Sequence, residues 1–360
     1  MKAAYAELKP ELDAAYHRVM ESGWFVLGRE VEAFEAQYAA FCGTQHCVGL
    51  GNGLEALELV LRAWDIGAGD EVIVPSNTYI ATWLAVTAVG AKVVPVEPTP
   101  AGPNIDPDRI AAAITSRTKA IMPVHLYGEP ADMDAIMALA GQRGIKVIED
   151  VAQAQGARVR GRRTGALGHA GAHSFFPTKN IGAFGDGGAV TTDDATLADR
   201  LRVLRNYGSR VKYVNVERGY NSRLDELQAA FLQVKLRVLD DWNERRRRIA
   251  ARYDDRLSGI PGLGLPRAPQ WAEPVWHLYV VQTGRRAELM KALEKAGIGS
   301  LIHYPIPPHL QQAYADFALP KGAFPLAEKL ADTVLSLPMG PHVPESAVDE
   351  IAAAVRDALS

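Results

Sequence analysis

An α/β fold built on a mainly parallel sheet is what this sequence predicts, on three observations. Seven short apolar runs with strand character recur between residues 47 and 192. Helix-like stretches, with apolar residues at three- and four-residue steps, separate several of them. Such alternation implies parallel strands, because each crossover lays a helix on one face of the sheet. The length of 360 residues is enough for two domains and a large core.

Val31, Phe34, Tyr38 and Phe41 mark an amphipathic helix after Gly28. The strand-like runs follow: Cys47–Leu50, Glu71–Val74, Lys92–Val96, Lys119–His125, Lys146–Glu149, Ala172–Phe176 and Gly188–Thr192. Helices are expected near 54–64, 79–89, 106–114 and 131–143. The third of these starts on Asp106-Pro107, a capping side chain followed by proline in the first turn. A long helical segment is expected over about 224–257, its run Arg245–Arg248 reading as a solvated face. Pro261, Gly262, Gly264, Pro266 and Pro269 then form a breaker-rich link. A smaller α/β unit follows, with a strand over Val275–Val281 and a helix over 286–296. The domain boundary falls in 240–265, giving a large domain at 1–245 and a small one at 246–360.

Composition removes several functions. A net charge of -3 offers nothing to nucleic acid or an anionic membrane. Cys42 and Cys47 are the only cysteines and have no metal-ligand pattern around them. They read as small apolar residues of a reducing compartment. There is no secretory h-region and no apolar run near 18 residues, so a cytoplasmic protein is expected.

The chemistry centres on Lys179, within His173-Ser-Phe-Phe-Pro-Thr-Lys-Asn180 and ahead of a glycine-rich loop. About thirty residues upstream the run Lys146-Val-Ile-Glu-Asp150 ends in an aspartate. A lone lysine is usually solvated, and a lone strand-end aspartate is usually a cap. Together they suit pyridoxal 5'-phosphate (PLP): the amine condenses with the cofactor aldehyde, and the carboxylate keeps the pyridine nitrogen protonated. Ligands of such sheets sit beyond the carboxyl ends of the strands, where Asp150 lies, and His125 too. Gly49-Leu-Gly-Asn-Gly-Leu-Glu-Ala-Leu57 joins a strand to a helix, a turn whose free N–H groups attract phosphate. Ser174 could add a hydroxyl there, or be an ordinary strand residue. Tyr79 could stack on the pyridine ring or belong to the core. Gln153 could reach the phenolic oxygen or cap a loop.

Gly51-Asn-Gly-Leu-Glu-Ala-Leu57, Glu149-Asp-Val-Ala-Gln-Ala-Gln-Gly156, Ser174-Phe-Phe-Pro-Thr-Lys-Asn180 and Gly219-Tyr-Asn-Ser-Arg-Leu-Asp-Glu-Leu-Gln-Ala-Ala230 occur in this order. The chain resembles, over nearly its whole length, the DegT/DnrJ/EryC1/StrS family of nucleotide-sugar aminotransferases. Trp24–Phe34 and His303–Gln311 are similar to the branch that aminates C3 of dTDP-3-oxo-6-deoxyhexoses. The resemblance implies the aspartate-aminotransferase fold (PLP fold type I) and a homodimer with shared active sites. It makes Lys179 the Schiff-base lysine, Asp150 the pyridinium partner, Tyr79 the stacking ring and Gln153 the partner of the ring hydroxyl. Gly53, Leu54 and Ser174 match the phosphate-binding positions, and Asn221 an asparagine that reaches the neighbouring subunit's phosphate. Leu54 departs from the family's usual serine or threonine, leaving only backbone N–H there.

The expected activity is transfer of an amino group, from L-glutamate, to the 3-oxo group of a dTDP-3-oxo-6-deoxyhexose. Arg210, Lys212 and Tyr213 form a basic, aromatic stretch that could bind the nucleotide diphosphate or be a solvated loop. His303, Tyr304 and His309 could face the sugar, or lie on a surface loop ordered by prolines. Rival readings are a 4-aminotransferase of a 4-keto sugar, a PLP-binding regulator without turnover, and an NAD-dependent sugar dehydrogenase. The last needs Gly-x-Gly-x-x-Gly, and Leu54 breaks that pattern.

Overall fold

The computed structural model describes residues 2–360. Its main sheet has seven strands in the order His46–Leu50, Gly188–Thr192, Ala170–Ser174, Lys146–Asp150, Thr118–Ile121, Glu71–Pro75 and Lys92–Val96. The last five are mutually parallel. Gly188–Thr192 runs antiparallel to both of its neighbours. Helices cover both faces, which is why Glu71–Pro75 and Gly188–Thr192 are buried at every position.

Two elements differ from the sequence reading. The 224–257 segment is two helices, Glu226–Leu236 and Leu239–Leu257, broken at Val238, whose φ of -110° and ψ of 1° leave the helical region. The strand expected to begin at Val275 begins at Tyr279 instead. Trp276 has a left-handed φ of 46°, which no strand tolerates, so the chain turns there before entering the sheet.

A second, antiparallel pair, Tyr279–Gln282 with Val334–Leu337, lies beneath Arg286–Lys295 and Glu345–Leu359 and carries its own apolar cluster. The Leu239–Leu257 helix serves two cores: Trp242 packs with Leu8 and Leu12, whereas Ile249 and Tyr253 pack with Leu289 and Val355. No helix of the described residues is long and apolar enough to cross a membrane.

Two buried carboxylates cap helices from a distance, where the local sequence offers no cap. Glu226 accepts from the N–H groups of Gly28 (2.7 Å), Glu30 (2.9 Å) and Val31 (3.0 Å), at the start of Arg29–Cys42. Glu97, just past a sheet strand, accepts from Leu326 and Ala327 at the start of Pro325–Thr333, both at 3.0 Å. Each satisfies orphan donors and opposes the positive end of the helix dipole. Glu226→Gln keeps the shape but loses the charge and turns one acceptor into a donor. It should cost about 2 kcal/mol and lower the unfolding temperature by a few degrees. A melting temperature within about one degree of wild type would show that the cap is dispensable.

Candidate active site

At the carboxyl edge of the sheet lies a cavity of about 450 Å³. Gly53, Leu54, Tyr79, Asp150 and Gln153 line it, together with Ser174 and Lys179. His303 and Tyr304 close it from the side of the second sheet. Each strand delivers its residue by ending at this edge.

Asn52 begins the Gly53–Ala63 helix, its side chain accepting from Glu55 N at 2.9 Å. The first-turn N–H groups of Gly53 and Leu54 have no carbonyl one turn back within the helix. A Cβ on Gly53 would lie 2.6 Å from Ser174 Cβ, and one on Gly188 would lie 2.3 Å from the Asn52 carbonyl oxygen. Only glycine lets this helix start press against the sheet. Behind it, the buried pair Glu35–Arg205 holds the end of the His46–Leu50 strand. Glu35 accepts from Gly49 N (2.8 Å), and Arg205 donates to Gly49 O (2.8 Å).

Asp150 is buried, accepting from Ala152 N at 3.1 Å and from the Thr82 hydroxyl at 3.0 Å. Burial raises its pKa, while those donors and the nearby Lys179 oppose the rise. Burial lowers the pKa of the half-buried Lys179 amine, and Asp150 opposes this. A carboxylate and an amine thus face one enclosed space, each offering the other partial compensation.

The neighbouring residue Glu149 points the opposite way, as alternation along a strand requires. It accepts from the N–H groups of Gly165 (2.9 Å), Leu167 (2.7 Å) and Gly168 (2.8 Å), and from His125 Nε2 (2.9 Å). Burial alone would raise its pKa; the His125 bond and these amides hold the carboxyl below the usual range. His125, read from sequence only as a strand-end residue, is fully committed. Its Nδ1 accepts from Ala131 N at 3.0 Å, so Nε2 carries the proton given to Glu149.

Tyr79, a residue 54% exposed, stands before the Ile80–Ala88 helix with its ring 5.3 Å from the Tyr304 ring. The Gln153 amide accepts from Tyr127 N (2.7 Å) and donates to the Tyr304 hydroxyl (2.8 Å), keeping its second N–H. The Tyr127 hydroxyl in turn donates to the His303 carbonyl.

His277 and Thr82 are residues of this site that the sequence reading did not single out. The tautomer of His277 is set by backbone carbonyls. Asn243 Nδ2 donates to Gln155 O (2.9 Å), which turns its Oδ1 towards Asn180 Nδ2 (2.8 Å). Asn180 Nδ2 also donates to Val275 O (3.1 Å), so Asn180 Oδ1 faces His277 Nδ1 at 3.1 Å and requires a proton there. Burial holds this imidazole well below its usual pKa, with the Lys179 and Arg246 charges adding to the effect. A neutral ring with a bare Nε2 results.

The other expected substrate residues lie elsewhere. His309 is corrected: it does not line the cavity but is buried, bonded to Glu328 at 3.0 Å and packed on Phe324. The prolines around it fold the segment inwards instead of presenting it to a sugar. Arg210 is paired with Asp199 at 2.6 Å on the surface, and the Lys212 amine sits 5.2 Å from the centre of the Tyr213 ring. Tyr213 is 88% exposed, and none of the three lines this chain's cavity. Asn221 is exposed as well, although its neighbour Ser222 accepts from Gly51 N at 3.1 Å.

The fit to PLP can be judged from these residues. The unpaired amides and Ser174 suit a phosphate, Tyr79 a flat ring, Asp150 a cationic ring nitrogen and Lys179 an aldehyde. On a mainly parallel sheet, these residues fit a PLP-dependent enzyme. The chain belongs to the DegT/DnrJ/EryC1/StrS aminotransferase family, whose model matches residues 6–356. It is 56% identical to the dTDP-3-amino-3,4,6-trideoxy-alpha-D-glucose transaminase of Streptomyces venezuelae, covering 99% of this chain and 94% of that one. It is equally 56% identical to the erythromycin biosynthesis sensory transduction protein EryC1 of Saccharopolyspora erythraea, covering 99% and 97%. Among solved structures, S. venezuelae DesV in complex with a ketimine intermediate superposes with a TM-score of 0.98, at 56% identity over 99% of this chain and 96% of that one.

Proposed function

We propose that this aminotransferase uses PLP to move an amino group from L-glutamate to the 3-oxo group of a dTDP-3-oxo-6-deoxyhexose. The product would be a dTDP-3-amino-3,6-dideoxyhexose. The observation that carries the reading is Lys179, an amine inside a cavity with Asp150, in a chain so similar to a dTDP-3-amino sugar transaminase.

When bound, PLP supplies an electron sink for the pair left on the donor's α-carbon. Every other part falls to the chain. Asp150 holds the proton on the ring nitrogen, and Thr82 and Ala152 fix that carboxylate. The Gly53 and Leu54 amides hold the phosphate. Tyr79 covers the ring, and Gln153 offers its spare N–H to the ring's oxygen. Lys179 would hold the cofactor's aldehyde and would serve as the general base that takes the proton from the donor's α-carbon. Tyr304 and His303 exclude water from the side of the second sheet, which we read as a small domain at 246–360 against a large one at 1–245.

Incubating the protein with glutamate and either dTDP-3-oxo-6-deoxyglucose or its galacto epimer should give an amino sugar with nitrogen at C3 by NMR. Nitrogen at C4 of a 4-keto substrate would favour the 4-aminotransferase. No amino sugar from any of these would favour a PLP-binding regulator.

The unit of function in this reading is a cytoplasmic homodimer with shared sites. Trp24 and Phe25, 61% and 50% exposed, give it an apolar face to bury. Asn221 would reach the partner's cofactor phosphate, and the hairpin carrying Arg210, Lys212 and Tyr213 would reach the partner's nucleotide. Mixing inactive Lys179→Ala chains with inactive Asn221→Ala chains should restore up to one working site per mixed dimer. No recovery despite subunit exchange would refute the shared site.

A further inference from the structure

A second cavity, of about 350 Å³, lies against the other side of the Lys179–Asn180 segment. Its wall holds two buried cations with no acid beside them. Lys235, on the Glu226–Leu236 helix, is 3% exposed; its amine donates to the Gly182 carbonyl and lies 3.7 Å from the centre of the Phe184 ring. Arg246, on the Leu239–Leu257 helix, is 6% exposed; its Nη1 donates to the carbonyls of Trp276 (3.1 Å) and His277 (3.3 Å). Among the described residues, neither forms an ion pair and no carboxylate lines the cavity. His342, at the rim, is already paired with Glu7 at 2.5 Å, and Glu7 with Arg245 at 2.9 Å.

Two further donors are left over. Arg246 Nε and Trp242 Nε1 are both buried and have no acceptor, and both side chains line this cavity. Burying a cation without a counter-charge costs several kcal/mol on the order of the desolvation penalty, and an orphan N–H adds to it. Burial lowers the Lys235 pKa to about 8 and that of Arg246 to about 10, in accord with that cost. What is left over is of one kind: positive charge without a counter-charge, and two N–H donors without an acceptor.

We propose that this cavity is an oxyanion site, taking a carboxylate or phosphate group between Lys235, Arg246 and the indole N–H of Trp242. Its two natural sources are the carboxylate of the acidic amino donor, which rests on the proposed reaction, and free phosphate, which does not. Because Lys179 and Asn180 form part of this wall, and Lys179 lines the active-site cavity too, the anion would lie against the segment that carries the reacting amine.

The test uses the holoenzyme, whose cofactor phosphate already fills the active-site cradle, with inorganic phosphate and glutarate as separate probes. At least one should raise the unfolding temperature saturably, as a ligand of the native state does. Trp242→Phe keeps the bulk and removes only the N–H, and should weaken that binding about tenfold. Lys235→Met should abolish it. Glutarate binding that competes with glutamate would identify the donor's carboxylate. Binding of phosphate without such competition would identify an independent effector. No saturable binding of either probe overturns the proposal, as does unchanged affinity in Trp242→Phe, even if Lys235→Met fails to fold. None of these readouts requires a turnover with sugar, so a failure of the proposed reaction would be seen separately.

Discussion

Lys179→Ala should abolish transamination, with a loss at least on the order of 10⁴-fold, because one side chain is asked to do two jobs. In the proposed reaction it would both anchor the cofactor covalently and carry the proton; general acid–base catalysis alone accounts for about 10²–10⁴. The fold should not suffer. The amine makes no hydrogen bond or ion pair among the described residues, and the loop is held by backbone bonds such as Lys179 N to Phe176 O at 2.9 Å. Circular dichroism should match the wild type while single-turnover amination of the keto-sugar disappears, and PLP should wash out on dialysis. A variant turning over at near wild-type rate would remove Lys179 from the mechanism.

Asp150→Asn should lower the rate by roughly 100-fold or more, the scale of a major preorganised electrostatic group. The substitution is nearly isosteric: an amide oxygen can accept from Ala152 N, and the Thr82 hydroxyl can turn to accept from the amide nitrogen. What disappears is the negative charge that favours a protonated ring nitrogen. Single-turnover kinetics with glutamate would isolate this effect from sugar binding. A tenfold or smaller loss would mean that the ring nitrogen is held by another group.

Much of the architecture was legible because it rests on simple periodicities. Strands such as Glu71–Pro75 are buried on both faces and read as apolar runs, and a glycine-rich strand-to-helix turn marks a backbone approach that Gly53 and Gly188 require sterically. Lys179, Asp150, Gln153 and Ser174 each end or follow a sheet strand, so topology alone gathers them. Other features leave no such trace. His277 sits in the apolar run Val275–Val281, which reads as a strand, and only the left-handed Trp276 turns it towards the cavity. Thr82 is a lone hydroxyl inside a helix, with no spacing that ties it to Asp150. The break at Val238 has neither proline nor glycine, so the helical pattern runs through it. His309 looked polar and loop-borne, but its partner Glu328 lies on a helix that Glu97 caps from across the fold.

The amide chain from Gln155 to His277 has a consequence for how the enzyme meets acid. Histidine is ordinarily the residue that changes charge near neutrality. Here His277 is locked neutral by carbonyls that cannot themselves titrate. His173, wedged between Tyr38 and Thr191, is pushed down to about 3 by burial, and burial also lowers His303. His277 and His173 are thus spectators to a fall in pH from neutrality, fixed in charge like the backbone that orients them.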